Sequence, residues 1–70
     1  MDYVKVRMTG EKSRMSKLMR LLGSMKARII HATTVKDDES ETYDVAFMVS
    51  SRRFGKAVRK LSRLGDVIVS

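Results

Sequence analysis

Six lysines and arginines fall within residues 51–65, a stretch that contains no acidic side chain. Guanidinium and ammonium groups at such a density form charge-assisted hydrogen bonds with phosphate or carboxylate oxygens. The six are Arg52, Arg53, Lys56, Arg59, Lys60 and Arg63. Their chemistry predicts a surface for a polyanion such as nucleic acid, or for an acidic protein. The alternative is a solvated face that only keeps the protein soluble.

One helix would position these charges, at about 100° per residue. Its apolar stripe comprises Phe54, Ala57, Val58, Leu61 and Leu64. The opposite side carries four cations within about 60° of one another, namely Arg52, Lys56, Arg59 and Arg63. Arg53 and Lys60 flank this ridge. Gly55, inside the helix, predicts close packing at that point, either on the sheet or against a partner.

The ridge is unfavourable for folding. Like charges four residues apart destabilise a helix by roughly 0.2 to 0.5 kcal/mol per pair. Arg52 and Arg53 also face the positive end of the helix dipole. Since folding alone gains nothing from this arrangement, it favours a role in binding.

Length and composition limit the function further. The chain predicts one domain, residues 1–70, with a small core. Fifteen Lys and Arg against eight Asp and Glu give a net charge of +7, which favours anionic partners. With no cysteine and one histidine, His31, we expect no disulfide, no structural zinc and no catalytic triad. The sequence therefore predicts a non-enzymatic binding module without a cofactor, and leaves oligomerisation as a route to extra stability.

The chain also lacks the hydrophobic segments typical of membrane or exported proteins. Its longest apolar run, residues 45–49, is far too short to span a bilayer. The first residues contain no apolar core of signal-peptide length. We therefore expect an intracellular, cytoplasmic and soluble protein with no membrane partner.

Hydrophobic periodicity predicts the elements before the acidic loop. Residues 3–8 alternate as a half-buried strand whose inward side comprises Val4, Val6 and Met8. A helix over about residues 11–22 follows, with an apolar side of Met15, Leu18, Met19 and Leu22. Gly23 is expected to end it with a positive φ. Residues 26–35 are rich in β-branched side chains and predict a second strand, with an inward side of Ala27, Ile29, Thr33 and Val35.

The acidic residues 37–41 then predict a hairpin loop, residues 42–50 a third strand and residues 67–69 a fourth. Two βαβ halves around a central hairpin indicate an α/β sandwich of α+β class, the ferredoxin-like βαββαβ fold. It has a four-stranded antiparallel sheet of order 4-1-3-2 and two helices on one face. The first helix adds Lys17 and Arg20 to the basic layer, so the predicted nucleic-acid contacts are Lys17, Arg20, Arg52, Arg53, Lys56, Arg59, Lys60 and Arg63.

The size of the chain and the order of its elements resemble ferredoxin-like domains, and among them the ACT-like regulatory domains. That resemblance implies an alternative function, the binding of a small ligand where the first strand turns into the first helix. The matching residues are Thr9, Gly10 and Glu11, where a helix N-terminus would offer backbone N–H groups. An adaptor that binds an acidic protein surface is a further alternative.

The open face of the predicted sheet bears on RNA binding and on self-association. Ala46-Phe47-Met48 is superficially similar to the signature of RNA-recognition motifs. Because side chains alternate between the two faces of a strand, however, Tyr43 and Phe47 are predicted to face the core. The aromatic rings on which RNA bases would stack would then be missing. An uncovered and partly apolar sheet face is commonly buried by a second copy. We therefore expect a homodimer through Lys5, Arg7, Ile30, Ala46, Met48 and Ile68, with Lys5 or Arg7 able to pair with Asp44.

Overall fold

The computed structural model describes residues 2–69. Its elements are β1 (Tyr3–Glu11), a 3₁₀ turn (Lys12–Arg14), α1 (Met15–Ser24), β2 (Arg28–Lys36), β3 (Glu41–Ser50), α2 (Ser51–Leu64) and β4 (Asp66–Val69). All strand pairs are antiparallel. The predicted α+β fold, with a four-stranded antiparallel sheet and two helices, is confirmed. The sheet has the order β2-β3-β1-β4, which reads β4-β1-β3-β2 from its other edge.

One hydrophobic core lies between the sheet and the two helices. The period of two in β1 and β3 sends alternate side chains into it, and the buried residues of these strands are Val6, Met8, Tyr43, Val45, Phe47 and Val49. The helices contribute Leu18, Leu22, Ala57 and Leu61 to the same cluster. The inward sides predicted for the first and third strands are therefore correct, because both strands alternate regularly beneath the helices.

The second strand differs from its prediction. All nine residues of β2 are exposed, since this strand lies at the edge of the sheet. A β-bulge after Ile29 adds one residue to β2 in its pairing with β3. Beyond the bulge, Thr33 lies opposite Asp44 on the open face of the sheet, and Val35 shares that side. The prediction that Thr33 and Val35 face inward is wrong, because the extra residue in the bulge moves every later side chain of β2 to the opposite face of the sheet.

The end of α1 also differs from its prediction. Gly23 lies inside α1, and no glycine among residues 2–69 takes the left-handed conformation. Lys26 takes the left-handed conformation instead, with φ 55°, and turns the chain toward β2. The prediction at Gly23 is wrong because α1 continues one residue past it and the helical hydrogen bonds persist to Met25, whose N–H donates to the Leu21 carbonyl over 3.0 Å.

Tyr43 joins the end of α2 to the sheet. Its side chain is fully buried, and its hydroxyl donates to the Leu64 carbonyl over 2.7 Å. Burial raises the pKa of Tyr43, so the hydroxyl keeps its proton at neutral pH. A Cβ added to Gly10 would lie 2.8 Å from both the Tyr43 hydroxyl and the Leu64 carbonyl oxygen, and one on Gly65 would overlap the same hydroxyl. Both positions therefore require glycine for space.

Candidate functional site

Positive charge is concentrated in the helical layer, which we define as the 3₁₀ turn, α1 and α2. This layer carries ten Lys and Arg and no acidic residue. The remainder of the chain holds five basic and eight acidic residues, so its net charge is negative although the whole protein has a net charge of +7. A charge that served solubility alone would not need this segregation. The helical layer is therefore one strongly cationic face above a sheet whose strands hold four basic and four acidic residues and carry no net charge.

Within this layer, a groove runs between α1 and α2. One half, of about 270 Å³, lies beside Arg53, Lys56 and Lys60. The other half, of about 460 Å³, lies beside Arg14, Lys17, Lys60 and Arg63. Leu21 and Lys60 line both halves, so the two are continuous. We call this feature the basic groove, and no acidic residue of the described chain lines it.

Two arginines of the groove also tie the helices together. Arg14 precedes α1, and its Nη1 donates to the Arg63 carbonyl near the end of α2 over 2.6 Å. Arg53 lies in the first turn of α2, and its Nη1 donates to the Met25 carbonyl at the end of α1 over 3.2 Å. Helix C-termini carry partial negative charge, so a guanidinium is favourable there. These two bonds link α1 to α2 near the two ends of the groove.

The groove contains only part of the predicted nucleic-acid set. The predicted residues that line it are Lys17, Arg53, Lys56, Lys60 and Arg63. Arg20 and Arg59 are exposed on the helices but outside its lining, and Arg52 lies beside Asp2 and Lys26 at the beginning of α2. The groove is thus lined by the two flanking cations of α2, Arg53 and Lys60, together with two residues of the ridge, Lys56 and Arg63. Nucleic-acid binding by these residues stays a prediction.

Sequence reasoning did not find Arg14. This residue is three positions before Lys17 and seven before Leu21, a spacing that places all three on one side of a helix. That spacing was an available signal, because the helix predicted over residues 11–22 already included Arg14, which the structure places in the 3₁₀ turn. The turn puts Arg14 at the end of the groove, opposite Arg63.

Thr9, Gly10 and Glu11, the residues predicted for a small ligand, lie in β1. They pair with Asp44, Tyr43 and Thr42 of β3. Helical structure begins after them, at Lys12, and Lys12 forms an ion pair with Glu41 over 2.8 Å. Ligand binding at these three residues stays a prediction.

The open face of the sheet is centred on an ion pair. Arg7 contacts Asp44 through two bonds, Nε to Oδ1 over 3.0 Å and Nη2 to Oδ2 over 2.6 Å, which confirms the predicted pairing of Arg7. The Arg7 hydrogen bond holds the pKa of Asp44 below its usual value, and the bond to Asp44 raises the pKa of Arg7. His31 lies beside this pair.

The other residues predicted for a dimer interface surround this ion pair unevenly. Met48 and Ile68 are exposed, Ala46 is half-buried and Lys5 lies opposite Met48. Ile30 lies at the bulge of β2, at the edge of the sheet. A homodimer through this face stays a prediction. Within β3 no ring lies on the open face for stacking of the RNA-recognition type, because Phe47 and Tyr43 are fully buried, as their predicted inward orientation requires.

No helix within residues 2–69 has the length and apolar character needed to cross a membrane. No family model matches the chain, and no curated protein matches it. The structure is similar to the solution structure of the C-terminal domain of the MgtC protein from Mycobacterium tuberculosis, with a TM-score of 0.61 and 12% sequence identity. The match covers 100% of this chain and 86% of that domain. At this identity the likeness shows the fold, a small α+β domain of the ferredoxin-like type.

Proposed function

We propose that this protein is a non-enzymatic module that binds nucleic acid through its sugar-phosphate backbone. The observation that carries the proposal is the basic groove, whose walls hold six cations. Bound phosphates would relieve the repulsion between these like charges. The groove-facing cations are Arg14, Lys17, Arg53, Lys56, Lys60 and Arg63.

Binding in this groove is expected to be independent of base sequence. The four aromatic residues of the chain are Tyr3, Tyr43, Phe47 and Phe54, and none of them lines the groove. Stacking on rings is therefore not available there, and we expect the cations to contact phosphate oxygens, which carry no sequence information. We expect DNA and RNA single strands of different sequence to bind with similar affinity.

The experiment is a fluorescence anisotropy titration of labelled single strands at low salt. Lys60→Glu reverses the charge that both halves of the groove share, and we expect it to weaken binding by about tenfold, as the loss of a phosphate contact would. Lys5→Glu is the matched control, since it makes the same change in net charge on the open face of the sheet.

The comparison of these two variants decides the location of binding. An unchanged affinity in Lys5→Glu with a loss in Lys60→Glu supports the groove. Equal losses in both variants would show that net charge alone governs binding, and no binding by the unmodified protein would refute the function.

A further inference from the structure

β2 presents a long unpaired edge. It is one of the two end strands of the sheet, with nine residues that are all exposed, whereas β4 at the other edge has four. Ile29, Ile30 and Val35 are 46%, 49% and 54% exposed. Such an edge offers a row of N–H and C=O groups for pairing with another strand. The bulge interrupts only its beginning, because residues 31–36 pair regularly with β3.

The charges along this edge identify the strand that fits it. Arg28 begins β2 and Lys26 lies two residues before it, whereas the acidic residues Asp37, Asp38 and Glu39 follow its end. When two copies of a strand pair antiparallel, the beginning of each lies beside the end of the other. The basic residues at the beginning of each β2 would then lie beside the acidic loop that follows β2 in the second copy. This complementarity occurs twice in a symmetric dimer.

We propose that β2 pairs antiparallel with β2 of a second copy of this chain. The product is a continuous eight-stranded sheet with a two-fold axis perpendicular to it. That axis keeps both helical layers on the same side of the sheet, so the two basic grooves share one face. This interface is the edge of the sheet and leaves the open face uncovered, unlike the homodimer predicted through Met48 and Ile68. It does not depend on nucleic-acid binding.

The experiment measures the mass of the full chain by sedimentation equilibrium, without nucleic acid. The unmodified protein is expected to be a dimer, and Ile30→Lys/Val35→Lys a monomer, because two lysines at the edge repel their counterparts. Ile68→Lys places the same charge on an open-face residue that is 55% exposed. It serves as the control and should leave the dimer intact.

A charge exchange keeps the test valid if the lysine variant fails to fold. Arg28→Glu should raise the dimer dissociation constant about tenfold, since two symmetric ion pairs are lost. Adding Asp38→Lys to the same chain should restore it, because the pair is rebuilt with opposite signs. A monomeric unmodified protein would overturn the proposal. So would a dimer that Ile68→Lys disrupts and the β2 variants leave intact.

Discussion

At the scale of single residues, the Tyr43 hydroxyl connects the end of α2 to the sheet through the Leu64 carbonyl. Tyr43→Phe removes the hydroxyl, so the partly buried Leu64 carbonyl oxygen loses this hydrogen-bond donor. We expect a loss of about 1 to 3 kcal/mol in the free energy of unfolding, measured by urea denaturation. No change would show that water replaces the hydroxyl at no cost.

Substitution of two glycines by alanine is expected to have opposite effects on stability. A Cβ on Gly55 would meet nothing within 4 Å beyond its own helical turn, so the predicted close packing on the sheet is wrong, and packing against a partner stays a prediction. Gly55→Ala should stabilise α2 by about 1 kcal/mol through helix propensity. Gly10→Ala should destabilise the protein, because its Cβ would lie 2.8 Å from the Leu64 carbonyl oxygen. Thermal unfolding of both variants measures this. A stabilised Gly10→Ala would contradict the packing described at Tyr43.

The Arg7–Asp44 pair predicts a dependence of stability on pH. The folded pKa of Asp44 is lowered, mainly by the hydrogen bond from Arg7. Its contribution to stability is therefore present above its unfolded pKa of about 3.9 and is lost as the pH falls through the folded value. Arg7 stays charged throughout this range. Asp44→Asn should have a smaller difference in Tm between about pH 6 and about pH 3 than the unmodified protein, and an equal difference would exclude this contribution.

At the scale of elements, regular periodicity made β1, β3 and α2 predictable. Residues 43–49 alternate without interruption, and the apolar stripe of α2 fixes its inward side. β2 was predicted as a strand, and the predicted order 4-1-3-2 already placed it at an edge of the sheet. Its bulge depends on pairing with β3 and is not encoded in its own alternation. The same is true at the end of α1, where Lys26 rather than Gly23 adopts the positive φ.

The candidate site was predictable to the level of the helical layer. The apolar stripe of α2 correctly turned its cations outward, and the fold placed Lys17 beside them. Which cations share a groove depends on where α1 packs against α2, and that contact is a tertiary property. Arg14 and Arg53 illustrate this, because each donates to a carbonyl at the far end of the other helix.

At the scale of the whole molecule, charge segregation is the main feature. The helical layer holds ten basic residues and no acidic one, although like charges destabilise the fold. The strands of the sheet carry no net charge, and the acidic excess of the remaining chain comes from Asp2 and the loop between β2 and β3. This polarity gives an approaching polyanion one preferred orientation, with the basic groove toward it. A dimer paired through β2 would place two such grooves on one face.

The most direct test of the account is the salt dependence of single-strand binding. Each phosphate contact contributes about 0.7 to the slope of log K against log salt. Engagement of all six groove cations therefore predicts a slope of about −4, and Lys60→Glu should reduce its magnitude by at least about 0.7. Undetectable binding at low salt, or a slope near zero, would contradict nucleic-acid binding through the basic groove.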